Sequence, residues 1–146
     1  MGVAVMCVRS FFHHQRRVLF TAVQRLWREE QAGMMYTLRD DSPIVCGGDG
    51  RADSPGHCAK YGTYTLMELE QKRVIDVQLV QSNEAGSSYK MEEVGLRKSL
   101  EWVQQTAGVE VGTLVTDRHV SINKMMREEH PTVKHIFDIW HVAKGK

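Results

Sequence analysis

The chain has 146 residues, which is the length of one ordinary domain. Its apolar share of 42% and its charged share of 25% are typical of globular proteins. The formal net charge is only +1, so overall composition does not mark the chain as a nucleic-acid binder. No apolar run approaches the roughly 18 residues of a membrane-spanning helix, and the first residues lack the basic start and cleavage site of a signal peptide. These features exclude a secreted or membrane-spanning class and favour a soluble intracellular protein.

The cysteines are odd in number and widely spaced, at Cys7, Cys46 and Cys58. This distribution favours free thiols in a reducing compartment over a disulfide framework. His57 beside Cys58 suggests a zinc site as an alternative, but the spacing matches no compact zinc module. We therefore expect these side chains to have structural or loop roles.

Residues 1–14 have no clean periodicity, and we expect an irregular or disordered start there. Residues 15–40 form a predicted helical segment, because apolar residues recur at three- and four-residue intervals from Val18 to Trp27. Ser42 and Pro43 end this pattern and lead into the first strand.

A second region, residues 43–146, alternates strand and helix patterns. The predicted strands are 44–49, 58–67, 74–80, 111–116 and 133–140, and the predicted helices are 89–106 and 121–129. The first three strands are joined by short turns and predict an antiparallel meander. The last strands follow crossover helices and should run parallel to their neighbours. The order predicts an α/β fold with a mixed five-stranded sheet, in which the first strand lies beside the fourth.

Two aspartates stand at the carboxyl ends of predicted strands. Asp49 ends the first strand, and Asp117 directly follows the fourth. Adjacent strands would bring these carboxylates together, where they would repel each other unless a cation lay between them. Oxygen ligands without cysteine or histidine select Mg²⁺ or Mn²⁺, and such sites support phosphoryl transfer. The alternative is that both aspartates are turn residues or helix caps.

Four segments of the sequence carry a family resemblance. They are GDGRADSPGH at 48–57, VIDVQLVQSNE at 74–84, VTDRH at 115–119 and FDIWHVAK at 137–144. Residues 18–146 resemble the catalytic domain of eukaryotic DDE/D cut-and-paste transposases, in particular the Kolobok and P element-related group. The resemblance implies a ribonuclease H-like fold and metal-dependent cleavage and transfer of DNA strands.

Carried over by position, Asp49 and Asp117 match the first two catalytic aspartates of that family, which bind Mg²⁺ or Mn²⁺. Asp138 and His141 match an accessory Asp/Cys-x-x-His signature. The family's third acid is usually a glutamate on a helix beyond a long insertion, and no residue here matches it. The resemblance therefore implies a partial domain, incomplete at its carboxyl end, and leaves open whether the chain is an enzyme.

The implied partner is DNA, in the nucleus or cytoplasm, with no membrane and no small-molecule substrate. Two other functions remain open: a non-catalytic, transposon-derived module that binds DNA or protein, and a nuclease of the same fold. Several residues have simpler interpretations. We expect an Asx turn at Asp53, a solvated position at Asp76, sheet packing rather than base stacking at Tyr61 and Tyr64, and for His141 either the accessory role or a core position.

Overall fold

The computed structural model describes residues 5–55, 58–139 and 143. The chain divides into two compact units, Met1–Met34 and Met35–Lys146. Helix α2 (Phe20–Asp40) contains the boundary between them.

The first unit is helical. Helix α1 (Val8–His14) continues through a π-helical turn (Gln15–Leu19) into α2. The helix thus begins before the predicted boundary at residue 15, and residues 8–14 are helical rather than irregular. No glycine or proline occurs between residues 3 and 32, so nothing in the sequence interrupts the helix once it has formed. The predicted apolar residues are largely exposed, with Val18 and Leu26 each at 61%.

The second unit is built on a five-stranded sheet. Its strands are β1 (Ile44–Ala52), β2 (Tyr61–Glu68), β3 (Arg73–Gln81), β4 (Val111–Thr116) and β5 (Lys134–Phe137). The spatial order is β3-β2-β1-β4-β5, with antiparallel pairing among the first three strands and parallel pairing of β4 with β1 and β5. This order confirms the predicted α/β, ribonuclease H-like sheet, including the position of β1 beside β4.

Helices pack on this sheet and bury its apolar residues. They are α3 (Ser82–Ala85), a 3₁₀ turn (Ser88–Lys90), α4 (Met91–Glu101) with a π-helical turn (Trp102–Thr106), and α5 (Val120–Glu129). The stretch between the predicted strand 74–80 and the predicted helix 89–106 therefore contains short helical turns. The main core cluster comprises Met35, Leu38, Ile44, Cys46, Tyr64, Leu66, Ile75, Leu96, Leu100, Val103, Ala107, Val109, Val111, Leu114, Ile122, Met125, Met126 and Val133.

Helix α4 lies close to the sheet because of Gly95. A Cβ atom at Gly95 would stand 2.5 Å from the Cβ of Tyr64 on β2. The guanidinium of Arg97 also donates to Glu129 on α5, over 2.7 and 3.1 Å. The contact at Gly95 therefore limits the distance between α4 and β2, and the ion pair links α4 to α5.

The prediction of a solvated Asp76 was wrong. Asp76 is only 4% exposed, and the side-chain amide of Gln78 donates a hydrogen bond of 2.8 Å to the Asp76 carboxylate. The pairing of β2 with β3 shifts register between Leu66 and Met67, next to Asp76. This irregularity interrupts the alternation of inward and outward residues on which the prediction depended. Within the described part of the chain, no helix has the length and apolar content required to cross a membrane.

Candidate active site

Asp49 and Asp117 occupy equivalent places on neighbouring parallel strands. The last paired residues of β1 and β4 are Gly47 and Val115. Asp49 lies two residues after Gly47, and Asp117 lies two residues after Val115. Both line one cleft of about 750 Å³, here called the acidic cleft. The fold thus brings together two carboxylates that are distant in the sequence.

Asp138 lines the same cleft. The residue follows the end of β5, and its backbone N–H donates to the carbonyl of Thr116 over 2.8 Å. This bond extends the pairing of β4 with β5 beyond the last strand residue. The acidic cleft is therefore lined by aspartates from three adjacent strands. Asp117 and Asp138 directly follow β4 and β5, but the prediction that Asp49 ends the first strand was wrong, because β1 continues to Ala52 through its pairing with β2. His141, the other predicted accessory residue, lies outside the described residues.

Local hydrogen bonds hold Asp117 in place. Its side-chain Oδ1 accepts from the backbone N–H of His119 at 3.0 Å, and the hydroxyl of Thr116 donates to its carbonyl at 2.8 Å. The same hydroxyl lies 2.8 Å from Nε2 of His135, whose pKa is lowered by burial. The turn interpretation of Asp117 is thus realised in part, and this turn fixes the carboxylate at the cleft.

Glu92 is a fourth acidic residue that the sequence did not single out. It lies in the first turn of α4 and contacts β1 at Gly50, directly after Asp49. A Cβ atom at Gly50 would stand 2.5 Å from Cγ and 2.8 Å from Cδ of Glu92. The missing side chain at Gly50 therefore makes room for the Glu92 carboxyl group against β1.

The electrostatic environment of Glu92 joins it to the two aspartates. Burial raises the pKa of Glu92 to about 7, and the negative charges of Asp117 and Asp49 add to this effect. Like charges raise a carboxyl pKa only at short range in a poorly solvated site. Glu92, Asp117 and Asp49 therefore form one interacting group of carboxylates.

The hydroxyl of Tyr64 is buried beside this group. A Cβ atom at Gly48 would stand 2.1 Å from it, and the hydroxyl has no hydrogen-bond partner among the described residues. Its pKa is raised by burial first, and then by the charges of Glu92, Asp49 and Asp117. A buried hydroxyl without a partner costs about 1–3 kcal/mol and is uncommon away from functional sites.

No sequence signal distinguishes Glu92. Glu92 and Glu93 both stand in the first turn of a helix, where acidic residues commonly stabilise the helix dipole. Only the close approach of α4 to β1, which depends on Gly50 and Gly95, separates Glu92 from its neighbour.

The donor set fits a hard divalent cation in its chemistry, because it consists of carboxylate oxygens and an adjacent unpartnered hydroxyl. As the side chains stand, however, no group of three or more His, Cys, Asp or Glu residues in the described ranges is arranged as a metal site. The carboxylates are thus near enough to raise a pKa but do not form a closed ligand set.

No protein-family model matches the chain, and no curated protein sequence matches it. Among solved structures, human endonuclease V aligns at 15% identity with a TM-score of 0.32, over 64% of this chain and 46% of that protein. A cysteine-substituted catalytic domain of human endonuclease V aligns at 15% identity with a TM-score of 0.32, over 66% and 47% of the respective chains. The chain spans less than half of the length of each. A similarity of this size carries no functional inference, so the function must follow from the chain's own residues.

Proposed function

We propose that the acidic cleft supports divalent-metal-dependent phosphoryl transfer on DNA, with Asp49 and Asp117 as ligands of Mg²⁺ or Mn²⁺. The observation that carries this proposal is the equal offset of the two aspartates beyond the last paired residues of β1 and β4, where both line one cleft. Two unneutralised carboxylates that line one cleft repel each other, and a cation bound between them would offset this repulsion.

Glu92 is proposed as the third acid. The family's third acid is usually a glutamate on a helix, and the charges of Asp49 and Asp117 act on the carboxyl group of Glu92, which lies on helix α4. Glu92 lies against Gly50, the residue after Asp49, and we propose that it shares the cation held by Asp49. Asp138, on the next strand, takes an accessory position at the same cleft.

The residues have distinct parts in this chemistry. A bound divalent cation would activate the attacking oxygen and offset charge on the leaving oxygen. Asp49 and Asp117 would hold the phosphate at the cleft, because Asp49 is fixed within β1 and Asp117 directly follows β4. Burial and the charges of Asp117 and Asp49 raise the pKa of Glu92 to about 7 when no metal is bound, and a shared cation would favour its ionised form. Arg51 lines the same cleft and offers a cationic contact for the DNA backbone.

The resemblance supports a finer form of the proposal, in which the chain derives from a transposase domain that cleaves and transfers DNA strands. A nuclease of the same fold would use the same carboxylates and water in place of a 3′-hydroxyl. The second candidate function is a non-catalytic DNA-binding module. The lack of a closed three-residue ligand set within the described ranges favours it.

Metal binding is the first test. Titration of Mg²⁺ or Mn²⁺ should raise the thermal midpoint of the wild-type chain. At a metal concentration of 100 times Kd, the free energy of unfolding should rise by about 2.7 kcal/mol. Asp49→Asn and Asp117→Asn should abolish the rise. The matched control is Asp53→Asn, in the turn after β1, where an amide oxygen can keep the bonds from Lys60 and Ser54. Equal responses in all four proteins would overturn the metal site.

Nicking of supercoiled plasmid DNA in Mn²⁺ separates the two candidates. A catalytic site predicts nicking that falls at least about 100-fold in Asp49→Asn and Asp117→Asn and is retained in Asp53→Asn. Metal binding or DNA binding without nicking would favour the non-catalytic module.

A further inference from the structure

A second pocket adjoins the acidic cleft. Its volume is about 260 Å³, and its lining includes Gly50, Arg51, Gly62, Ser88, Tyr89 and His119; we call it the Tyr89 pocket. Arg51 and Thr63 line both cavities. A nucleic-acid strand with one phosphate at the carboxylates of the acidic cleft would therefore place a neighbouring nucleotide near the Tyr89 pocket.

The volume of the Tyr89 pocket limits the size of the group that it can hold. Gly50 and Gly62 line it without side chains of their own, and the side chains of Glu92 and Met91 lie against these two glycines and line the pocket as well. Its volume lies just below the roughly 300–1,000 Å³ of pockets that enclose drug-sized ligands. A single ring system fits that space better than an entire nucleotide.

Tyr89 provides an aromatic surface at this pocket. The Tyr89 residue is 49% exposed, and its ring stacks on His119 with centroids 4.4 Å apart and planes at 29°. His119 is fixed in turn, since its Nδ1 lies 3.0 Å from the hydroxyl of Ser121 and its backbone binds Asp117. The aromatic pair is therefore held next to the predicted catalytic aspartate rather than free to rotate away.

We infer that the Tyr89 pocket binds one unpaired nucleobase of a nucleic-acid strand, stacked on Tyr89 and next to the phosphate at the acidic cleft. Every base offers a flat aromatic face, so stacking of this kind tolerates sequence. Ser88 and Arg51 supply polar groups for the edge of the base. The inference rests on the proposed function for its choice of a nucleic-acid strand.

The pocket selects against intact duplex. A base within a double helix is stacked and paired on both sides and can enter a side pocket only after it is unstacked. The substrate class that follows is single-stranded nucleic acid, or duplex with an unpaired or frayed end.

Binding of fluorescently labelled oligonucleotides to the full chain tests this inference. Fluorescence anisotropy should be measured in EDTA and again in Ca²⁺, with a single strand, the matching duplex, and a single strand of the same length made of abasic nucleotides. The wild type should prefer the single strand with bases. Tyr89→Ala should weaken that binding about 5- to 150-fold, and Tyr89→Phe should retain it.

Tyr61→Ala is the matched control, because Tyr61 is exposed to a similar extent at 47% and does not line the pocket. Equal losses in Tyr61→Ala and Tyr89→Ala, no loss in Tyr89→Ala, equal affinity for the abasic strand, or no measurable binding by the wild type would each overturn the inference. Single-strand binding that depends on Tyr89 but is accompanied by no metal response would overturn the proposed metal chemistry and leave the nucleobase pocket standing.

Discussion

At the scale of single residues, the acidic cleft depends on the absence of a side chain at Gly50 as well as on the carboxylates of the cleft. A side chain there would overlap Glu92, and only the bare backbone of β1 allows the glutamate to lie beside Asp49. The Glu92 carboxyl group is consequently held near the negative charges of Asp117 and Asp49. Its protonation should then be visible in the stability of the protein.

Glu92→Gln should make folding stability less dependent on pH. Below pH 4.5 the Glu92 carboxyl is protonated in both states; above it the unfolded chain loses the proton, while the folded protein keeps it up to about pH 7. The contribution of Glu92 to stability is therefore fully present below pH 4.5 and is lost as the pH rises through about 7. At pH 8 the variant should exceed the wild type by roughly 1–2 kcal/mol, after allowance for solvent screening.

Urea unfolding in EDTA at pH 4, 6 and 8 measures this difference. Glu101→Gln, at the exposed opposite end of α4, should show no such pH-dependent gain over the wild type. A constant difference between Glu92→Gln and the wild type across the three pH values would contradict the raised pKa.

At the scale of elements, helix α4 positions Glu92, and Gly95 sets how closely α4 approaches β2. Gly95 meets the Cβ of Tyr64, while Tyr64 in turn reaches Gly48 on β1. A chain of close contacts thus runs from the helix through the core tyrosine to the strand that carries Asp49. Displacement of α4 would move Glu92 away from the aspartates.

Gly95→Ala tests whether the cost of overpacking against Tyr64 exceeds the gain in helix propensity. Alanine favours a helix interior by about 1 kcal/mol over glycine, but the new Cβ would stand 2.5 Å from the Cβ of Tyr64. Overpacking of a core costs about 1–3 kcal/mol, so we expect net destabilisation in urea unfolding. Gly33→Ala in α2 is the control, since its Cβ would meet nothing within 4 Å and should be neutral or stabilising. Stabilisation by both changes would show that the contact is not tight.

The sequence predicts the sheet better than it predicts the site. Strand alternation and turn residues were sufficient for the number of strands and the order of elements, and β4 has the predicted limits. That Asp49 and Asp117 line one cleft could be predicted because each stands at the end of a clear strand pattern in the sequence. The position of Glu92 could not be predicted, since it depends on a tertiary contact with Gly50 on β1 that the sequence does not reveal. Asp76 was misplaced because a register shift in β2 and β3 leaves no mark in the sequence.

At the scale of the whole molecule, the two units differ in how they use apolar residues. Every member of the main core cluster lies from Met35 onward. In the helix of the first unit, the larger apolar side chains from Val8 to Leu26 are mostly exposed. The sheet, the acidic cleft and the Tyr89 pocket are thus composed of residues that belong to the second unit.

Removal of residues 1–30 should therefore leave a folded protein that responds to metal as the full chain does. The remaining part of α2 keeps Met35 and Leu38, which are only 3% and 2% exposed. We expect cooperative thermal unfolding followed by circular dichroism, with the midpoint lowered by less than about 5 °C. Removal of residues 1–40 is the matched control, because loss of the three buried side chains of Met34, Met35 and Leu38 at about 2–5 kcal/mol each should abolish or severely weaken folding. Equal behaviour of the two truncated chains, or no cooperative transition in the shorter deletion, would contradict a self-sufficient second unit.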